Sequence, residues 1–134
     1  MAEIIEESIK EKEIGIKTNE PLTIVSKVLN ISSKFGKILK KDDEIYSSKT
    51  GYIIKHYLEV KNDLDGVSSI IFSVYIYVEE NYVRISLRIS LKTELKDDEN
   101  IFNEYYKNYV QPKLAKKAEK IANNYIFEIK KISS

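Results

Sequence analysis

The strongest constraint on how this chain folds is a pair of alternating rows separated by a two-residue turn. From Ile70 to Val78 the even positions are Ile70, Phe72, Val74, Ile76 and Val78, all apolar. From Val83 to Leu95 the apolar residues are Val83, Ile85, Leu87, Ile89, Leu91 and Leu95, while Arg84, Ser86, Arg88, Ser90, Lys92 and Glu94 occupy the intervening positions. A period of two belongs to a strand with one buried face. A turn at Glu80-Asn81 sets Glu79 opposite Tyr82, Val78 opposite Val83, Ile76 opposite Ile85, Val74 opposite Leu87 and Phe72 opposite Ile89. A slip of one residue would oppose Ile76 to Arg84 and expose a whole apolar row, so the pattern itself selects the register. The other face then pairs Tyr77 with Arg84 and Ser73 with Arg88, a surface for solvent or a partner.

Around this hairpin the remaining elements fall into order. Residues 8–18 read as a first strand, clearest where Ile14, Ile16 and Thr18 alternate with Gly15 and Lys17. Asn19-Glu20-Pro21 is a helix start, because proline in the first turn gives up no needed N–H. Leu22, Val25, Val28 and Leu29 then recur at helical spacing, giving about three turns that end around Asn30 to Ser33. Residues 35–40 and 44–48 read as two short strands. In the next strand Tyr52, Ile54, Leu58 and Val60 form an apolar row interrupted by His56, with Ile53, Lys55, Tyr57 and Glu59 on the opposite face. Asn62-Asp63-Leu64-Asp65-Gly66 is a turn cluster leading to Ile70. The expected sheet is antiparallel, curved and of about six strands.

The final third is helical. The acids of Asp97-Asp98-Glu99-Asn100 suit a helix N-terminus, where negative charge and side-chain oxygens meet unsatisfied N–H groups. Two apolar stripes follow. Phe102, Tyr105, Tyr106 and Tyr109 lie on one side, and at about 100° per residue Leu114, Ala118, Ile121, Tyr125 and Ile129 centre more than a quarter-turn away. Pro112 stands between them, where it removes a helical hydrogen bond and crowds the preceding turn. A long helix kinked or broken at Pro112 is expected, each half offering its own apolar face.

Composition narrows the class. A chain of 134 residues without linkers or repeats suits a single α+β domain spanning residues 1–134. With 22 basic against 21 acidic residues there is no basic excess to favour nucleic acid. No apolar run approaches the ~20 residues that cross a bilayer. The acidic segment Met1 to Glu7 lacks the basic and apolar parts of a secretion signal, and cysteine is absent, so the expected location is the cytoplasm. Dense Lys and Glu, no Cys and one Met suit a thermophile, an archaeon from a hot environment. The Ile, Lys, Asn and Tyr bias equally suits an AT-rich genome, and nine Asn argue against purely thermal selection.

No catalytic motif stands out, and the expectation is a non-enzyme without metal or cofactor. The glycines at 15, 36, 51 and 66 are isolated, so no phosphate loop forms, and one histidine cannot supply paired zinc ligands. The acidic pairs Asp42-Asp43, Glu79-Glu80 and Asp97-Asp98 read as solubilising or capping groups. His56 is the residue whose placement asks a question, since burying an unpartnered polar group costs about 1–3 kcal/mol. A three-residue turn at Lys49-Thr50-Gly51 would put Glu44 opposite His56 and Tyr46 opposite Ile54. His56 is then either a core or edge residue bonded to a backbone carbonyl, or a polar anchor for a ligand carboxylate or hydroxyl. Phe102, Tyr105, Tyr106 and Tyr109 have the plain reading of core packing and the sharper one of a pocket with a few polar points. Lys113, Lys116, Lys117 and Lys120 read as a solvated face, with attraction to anionic lipid as the alternative.

The order of strand, short helix, consecutive antiparallel strands and long C-terminal helix resembles the helix-grip fold of the START and birch-pollen-allergen superfamily. The segment Glu13-Ile14-Gly15-Ile16-Lys17-Thr18-Asn19-Glu20-Pro21-Leu22 resembles its opening strand and first helix, and Phe102 to Ile129 its closing helix. Length and composition are similar to those of a small family of thermoacidophilic archaeal proteins related to that superfamily. The resemblance implies a cavity between sheet and C-terminal helix that binds lipid or another hydrophobic small molecule. For the narrower family it implies fatty-acid carriage, with a homodimer as the accompanying assembly. Fewer strands than larger START members imply a smaller or shallower cavity. The expected floor is Phe72, Val74, Ile76, Ile85, Leu87 and Ile89, and the lid Phe102, Tyr105, Tyr106 and Tyr109, with His56 or a tyrosine hydroxyl orienting the polar end. Two alternatives stand beside it. One is an interaction or homodimerising module using Tyr57, Tyr75 and Tyr77. The other is a cyclase-like or hydrolase-type enzyme, for which only His56 and Glu44 offer polar groups, since fold alone does not decide function.

Overall fold

The computed structural model describes residues 2–49, 51–96 and 100–133. Strand β1 (Ala2–Lys17) leads to helix α1 (Pro21–Phe35), then β2 (Lys37–Ser48), β3 (Gly51–Asp63), β4 (Ser68–Glu79) and β5 (Tyr82–Lys96). The five strands make one curved antiparallel sheet in the order β1-β5-β4-β3-β2. A helical segment follows as α2 (Asn100–Tyr105), a π-helical turn (Tyr106–Val110) and α3 (Gln111–Lys130), closed by a 3-10 turn (Lys131–Ser133). The expected helix start at Asp97 to Glu99 lies outside the described residues.

The sheet has five strands rather than about six, because β2 runs unbroken where two short strands were expected. Asp42 and Asp43 do not interrupt it, since β2 is an edge strand whose described side chains are all exposed. Charges and a bulge, here at Leu39 between Ile38 and Lys40, are usual on an edge that must not pair further. At the other edge β1 starts at Ala2, well before residue 8, and also carries a register shift between Ser8 and Lys10. Its early half gave no apolar alternation because Glu3, Glu7 and Lys10 meet polar groups of the C-terminal helix: Lys107, Gln111 and Glu119.

The β4–β5 hairpin has the register that its alternation selects, from Val78 opposite Val83 to Phe72 opposite Ile89. The β2–β3 hairpin differs by one residue. Ser48 pairs directly with Gly51, which adopts φ +139 and so makes a tight two-residue connection. That places Asp43, not Glu44, opposite His56, and brings Glu44 against Lys55 on the other face.

Helix α1 starts at Pro21, with Thr23 N–H donating to the Glu20 carbonyl at 3.1 Å. It buries Ile24, Val25, Val28 and Ser32, while Leu22 is turned to solvent. Asn62 Nδ2 donates to the Phe35 carbonyl at 2.8 Å, satisfying one of the orphan acceptors at the helix end. Gly36 follows because a Cβ there would overlap the Lys61 carbonyl.

The helical path from Asn100 onward does not break at Pro112. Its irregularity takes the form of the π turn just before it, where Gln111 N–H donates to the Tyr106 carbonyl five residues earlier. Pro112 has no N–H to give and its ring crowds the preceding turn, so widening that turn accommodates it. The extra residue rotates the following helix by about 100° relative to an uninterrupted one. Consequently Asn103 and Tyr106 share a buried side with Ala118, Ala122, Tyr125 and Ile129, rather than the two halves facing different ways.

Between sheet and helices lies one continuous apolar cluster. Phe72, Val74, Ile76, Ile85, Leu87 and Ile89 are essentially inaccessible within it. Phe72 is 4.8 Å from Tyr125 between ring centroids, Phe35 is 5.0 Å from Tyr125, and the edge-on Phe35–Phe72 pair is 6.1 Å apart. Such pairs contribute about 0.5–1.5 kcal/mol beyond area burial. Ser32 Oγ meets the Tyr125 hydroxyl at 2.6 Å and donates to the Val28 carbonyl, so the single polar atom of the trio is satisfied.

Candidate functional site

The inner face of the sheet is not covered to its end. Along β3 the inward row reads Tyr52, Ile54, His56, Leu58, Val60, and across β2 its partners are Ser47, Ile45, Asp43, Lys41 and Ile38. Leu58 and Val60 are buried, whereas Ile45 and Tyr52 are largely exposed. The strand alternation thus continues past the point where the helices stop covering it. His56 sits at that boundary.

His56 Nδ1 lies 2.6 Å from Asp43 Oδ1, a charge-assisted contact slightly shorter than the usual N–H···O range. Its other ring nitrogen, Nε2, is buried and has no hydrogen-bond partner. The residues beside it on the same face are Ile54 and Leu58 along the strand and Ile76 across β4. With Asp43 accepting at Nδ1, a neutral ring offers Nε2 as an acceptor, and a protonated ring offers an N–H there. The site can therefore take a hydroxyl or protonated acid in one state and a carboxylate in the other. An acid-oriented histidine is also the base-and-orienter half of a nucleophilic triad. Here the in-register neighbours are hydrocarbon, so the pair faces apolar side chains.

The expected floor residues, Phe72, Val74, Ile76, Ile85, Leu87 and Ile89, share the inner face with His56, but the space above Phe72 is occupied by Tyr125 and Phe35. The expected lid divides. Tyr106 is 3% exposed, whereas Phe102, Tyr105 and Tyr109 are 44%, 57% and 62% exposed and point outward. Aromatic size suggested burial for all four, but the segment is docked by polar contacts. Asn103 Nδ2 donates to the Lys96 carbonyl at 2.6 Å, and the Tyr106 hydroxyl donates to Asp65 Oδ2 at 2.6 Å. The spacing of Asn103, Tyr106 and Val110 was the available signal, obscured by the larger side chains between them.

Tyr106 joins a compact network in which Ser68 Oγ lies 2.7 Å from both the Tyr106 hydroxyl and Thr93 Oγ1. Burial and the adjacent Asp65 carboxylate push the Tyr106 hydroxyl up to about 12, the Ser68 contact opposing them. Burial alone would raise the Asp65 carboxyl. Hydrogen bonds from Tyr106, Ser68 N–H and Val67 N–H outweigh it and hold that carboxyl below its ordinary value. This network pins the π turn to the β3–β4 connection.

On the outer face the tyrosines form a lattice with cations. The Tyr57 and Tyr75 rings are 4.7 Å apart, Arg84 lies 4.4 Å from the Tyr77 ring centre, and Lys55 lies 5.2 Å from that of Tyr75. Burial, with the bond to Glu59, pushes the Tyr57 hydroxyl up to about 12. Most of these ring faces are already covered by a neighbour.

Among the described residues no group of three or more His, Cys, Asp or Glu is arranged to hold a metal ion, and no helix is long and apolar enough to cross a membrane. No protein-family model and no curated sequence matches the chain.

Proposed function

We propose that this protein binds and carries an apolar small molecule with one polar end, such as a fatty acid or similar amphiphile, in the manner of a helix-grip carrier. The observation that carries the reading is the buried, unpartnered Nε2 of His56 amid Ile54, Leu58 and Ile76, with Asp43 holding the ring from behind. An empty acceptor in such surroundings costs about 1–3 kcal/mol, and a ligand hydroxyl or carboxyl removes that cost. The alkyl part lies along the inner row from Tyr52 to Leu58, roughly 20 Å of strand at ~3.3 Å per residue. Each methylene buried there contributes ~0.8 kcal/mol before the costs of binding. Deeper entry toward Phe72 and Val74 requires Tyr125 and Phe35 to move. Native mass spectrometry of the purified protein, with and without added fatty acids, tests the reading: a bound species of fatty-acid mass is expected. Absence of both a co-purified ligand and uptake of added fatty acids would overturn it.

A second reading is favoured by the outer tyrosine and cation lattice, which suits self-association or a protein partner, since aromatic residues and Arg are enriched in interfaces. Tyr75→Lys inserts a charge at its centre. An unchanged gel-filtration mass for that variant and wild type, both monomeric, would remove self-association through this face.

A further inference from the structure

The outward side of the C-terminal helical segment divides into two unlike halves. In α2 and the π turn it presents Ile101 at 89% exposure, together with the outward Phe102, Tyr105 and Tyr109 already described. The Tyr105 and Tyr109 rings lie against each other, tilted by 38° with centroids 5.3 Å apart, so they form a coherent patch rather than scattered side chains. In α3 the exposed residues continue as Lys113, Lys116, Lys117 and Lys120. Between Gln111 and Phe127 the sole acid is Glu119, which leans 3.8 Å from Lys10 of β1. None of the four lysines is in an ion pair with another described residue.

We propose that this face docks on an anionic membrane surface. Ile101, Phe102, Tyr105 and Tyr109 enter the boundary between headgroups and acyl chains, and the ammonium groups of Lys113, Lys116, Lys117 and Lys120 rest among acidic headgroups. Tyrosine suits that boundary because its ring is apolar and its hydroxyl stays wet. The paired halves favour a membrane over a second copy of the chain. Antiparallel self-docking would lay lysines against aromatic rings and leave most of their charge unneutralised, and parallel docking would bring lysines together. A surface that is both apolar at shallow depth and negatively charged meets both halves at once. The inference rests on the outer side of the helix and is independent of the His56 site.

Vesicle flotation tests it, using phosphatidylcholine alone and phosphatidylcholine mixed with phosphatidylglycerol. Wild type is expected to float with the mixed vesicles only and to be released by salt. Each of K116Q, K117Q and K120Q should weaken partition about fivefold. The double variant I101E/Y105E alters only outward side chains, so its circular dichroism should match wild type while flotation falls at least tenfold. H56F should float as wild type does, which separates this inference from the carrier reading. Absence of flotation with either vesicle, or flotation unchanged in I101E/Y105E, overturns the proposal. So does a wild-type dimer that I101E/Y105E converts to monomer without altering flotation, which would assign the stripe to a second copy.

Discussion

The Tyr125 hydroxyl lies 2.6 Å from Ser32 Oγ, and both side chains are wholly buried where α1 meets α3. Ser32 also donates to the Val28 carbonyl, so the two partners are not equivalent. Ser32→Ala strips the Tyr125 hydroxyl of its partner and should cost about 1–3 kcal/mol. Tyr125→Phe leaves Ser32 bonded within its own helix and should cost about 0.5–1.5 kcal/mol. In urea unfolding the double variant should be less destabilised than the two changes summed. Strict additivity would show that the contact is not energetically coupled.

Alkali should unfold the protein over a definite window. Burial pushes the Tyr125 hydroxyl up to about 12, the Ser32 contact pulling the other way, and Tyr57 and Tyr106 are raised to about 12 as well. The folded state therefore holds these phenolic protons more tightly than the unfolded chain does. Stability from them is complete below the ordinary value of 10.0 and is lost as pH rises through about 12. Tyrosinate absorbance followed with pH should show a late-titrating class. A single titration at the ordinary value in the native protein would contradict it.

At the acid end the sign reverses. Asp65 is held below its ordinary value of 3.8, so its contribution is present above that value and fades as pH falls through the lowered one. Asp65→Asn should flatten the acid limb of stability. Tyr106→Phe should cost about 1–2 kcal/mol and, since this hydroxyl pins the π turn, accelerate hydrogen exchange mainly across residues 100–110. Uniform acceleration over the whole chain would argue against a local latch.

Removing Asn108 should be tolerated once Pro112, whose ring the wide turn accommodates, is also changed to Ala. Deleting a residue from an ordinary helix rotates everything beyond it by about 100° and turns its core face outward. Here the π turn already carries one residue too many, so the deletion restores regular spacing between Tyr106 and Ala118. Stability within about 1 kcal/mol of wild type is expected. An added residue at the same place should be far more damaging, and equal damage from both changes would count against a phase-correcting turn.

His56→Phe tests the anchor. It removes a buried ring nitrogen that lacks a partner but also the bond from Nδ1 to Asp43, so the two effects oppose and stability should change by less than about 1 kcal/mol, while affinity for a fatty acid falls at least tenfold. Unchanged affinity would show that His56 is not the anchor.

Much of this architecture was legible locally. Period-two alternation in β4 and β5 has only one register that keeps Ile76 and Ile85 together, so the hairpin follows from the pattern alone. Pro21 marked the start of α1 for a similar reason, since its effect is confined to one turn. The unreadable parts were those where neighbours supply the reason for a residue's type. The early half of β1 breaks the alternation by carrying acids at positions 3 and 7, because Glu3 and Glu7 meet Lys107 and Gln111.

By itself, then, the sequence determined the class of fold, the central hairpin and an irregularity in the C-terminal helix beside Pro112, though not that the buried face continues across it. Only the tertiary structure decided which residues face the site. Asp43 replaces Glu44 as the partner of His56 because the β2–β3 turn has two residues rather than three. Tyr106 turns inward while Phe102, Tyr105 and Tyr109 turn outward, because polar contacts with Asp65, Ser68 and Lys96 dock that segment. The π turn then lets α3 keep the same face. Periodicity reports relative phase within an element. A turn or an inserted residue resets that phase by one position, and the choice belongs to the packing around it.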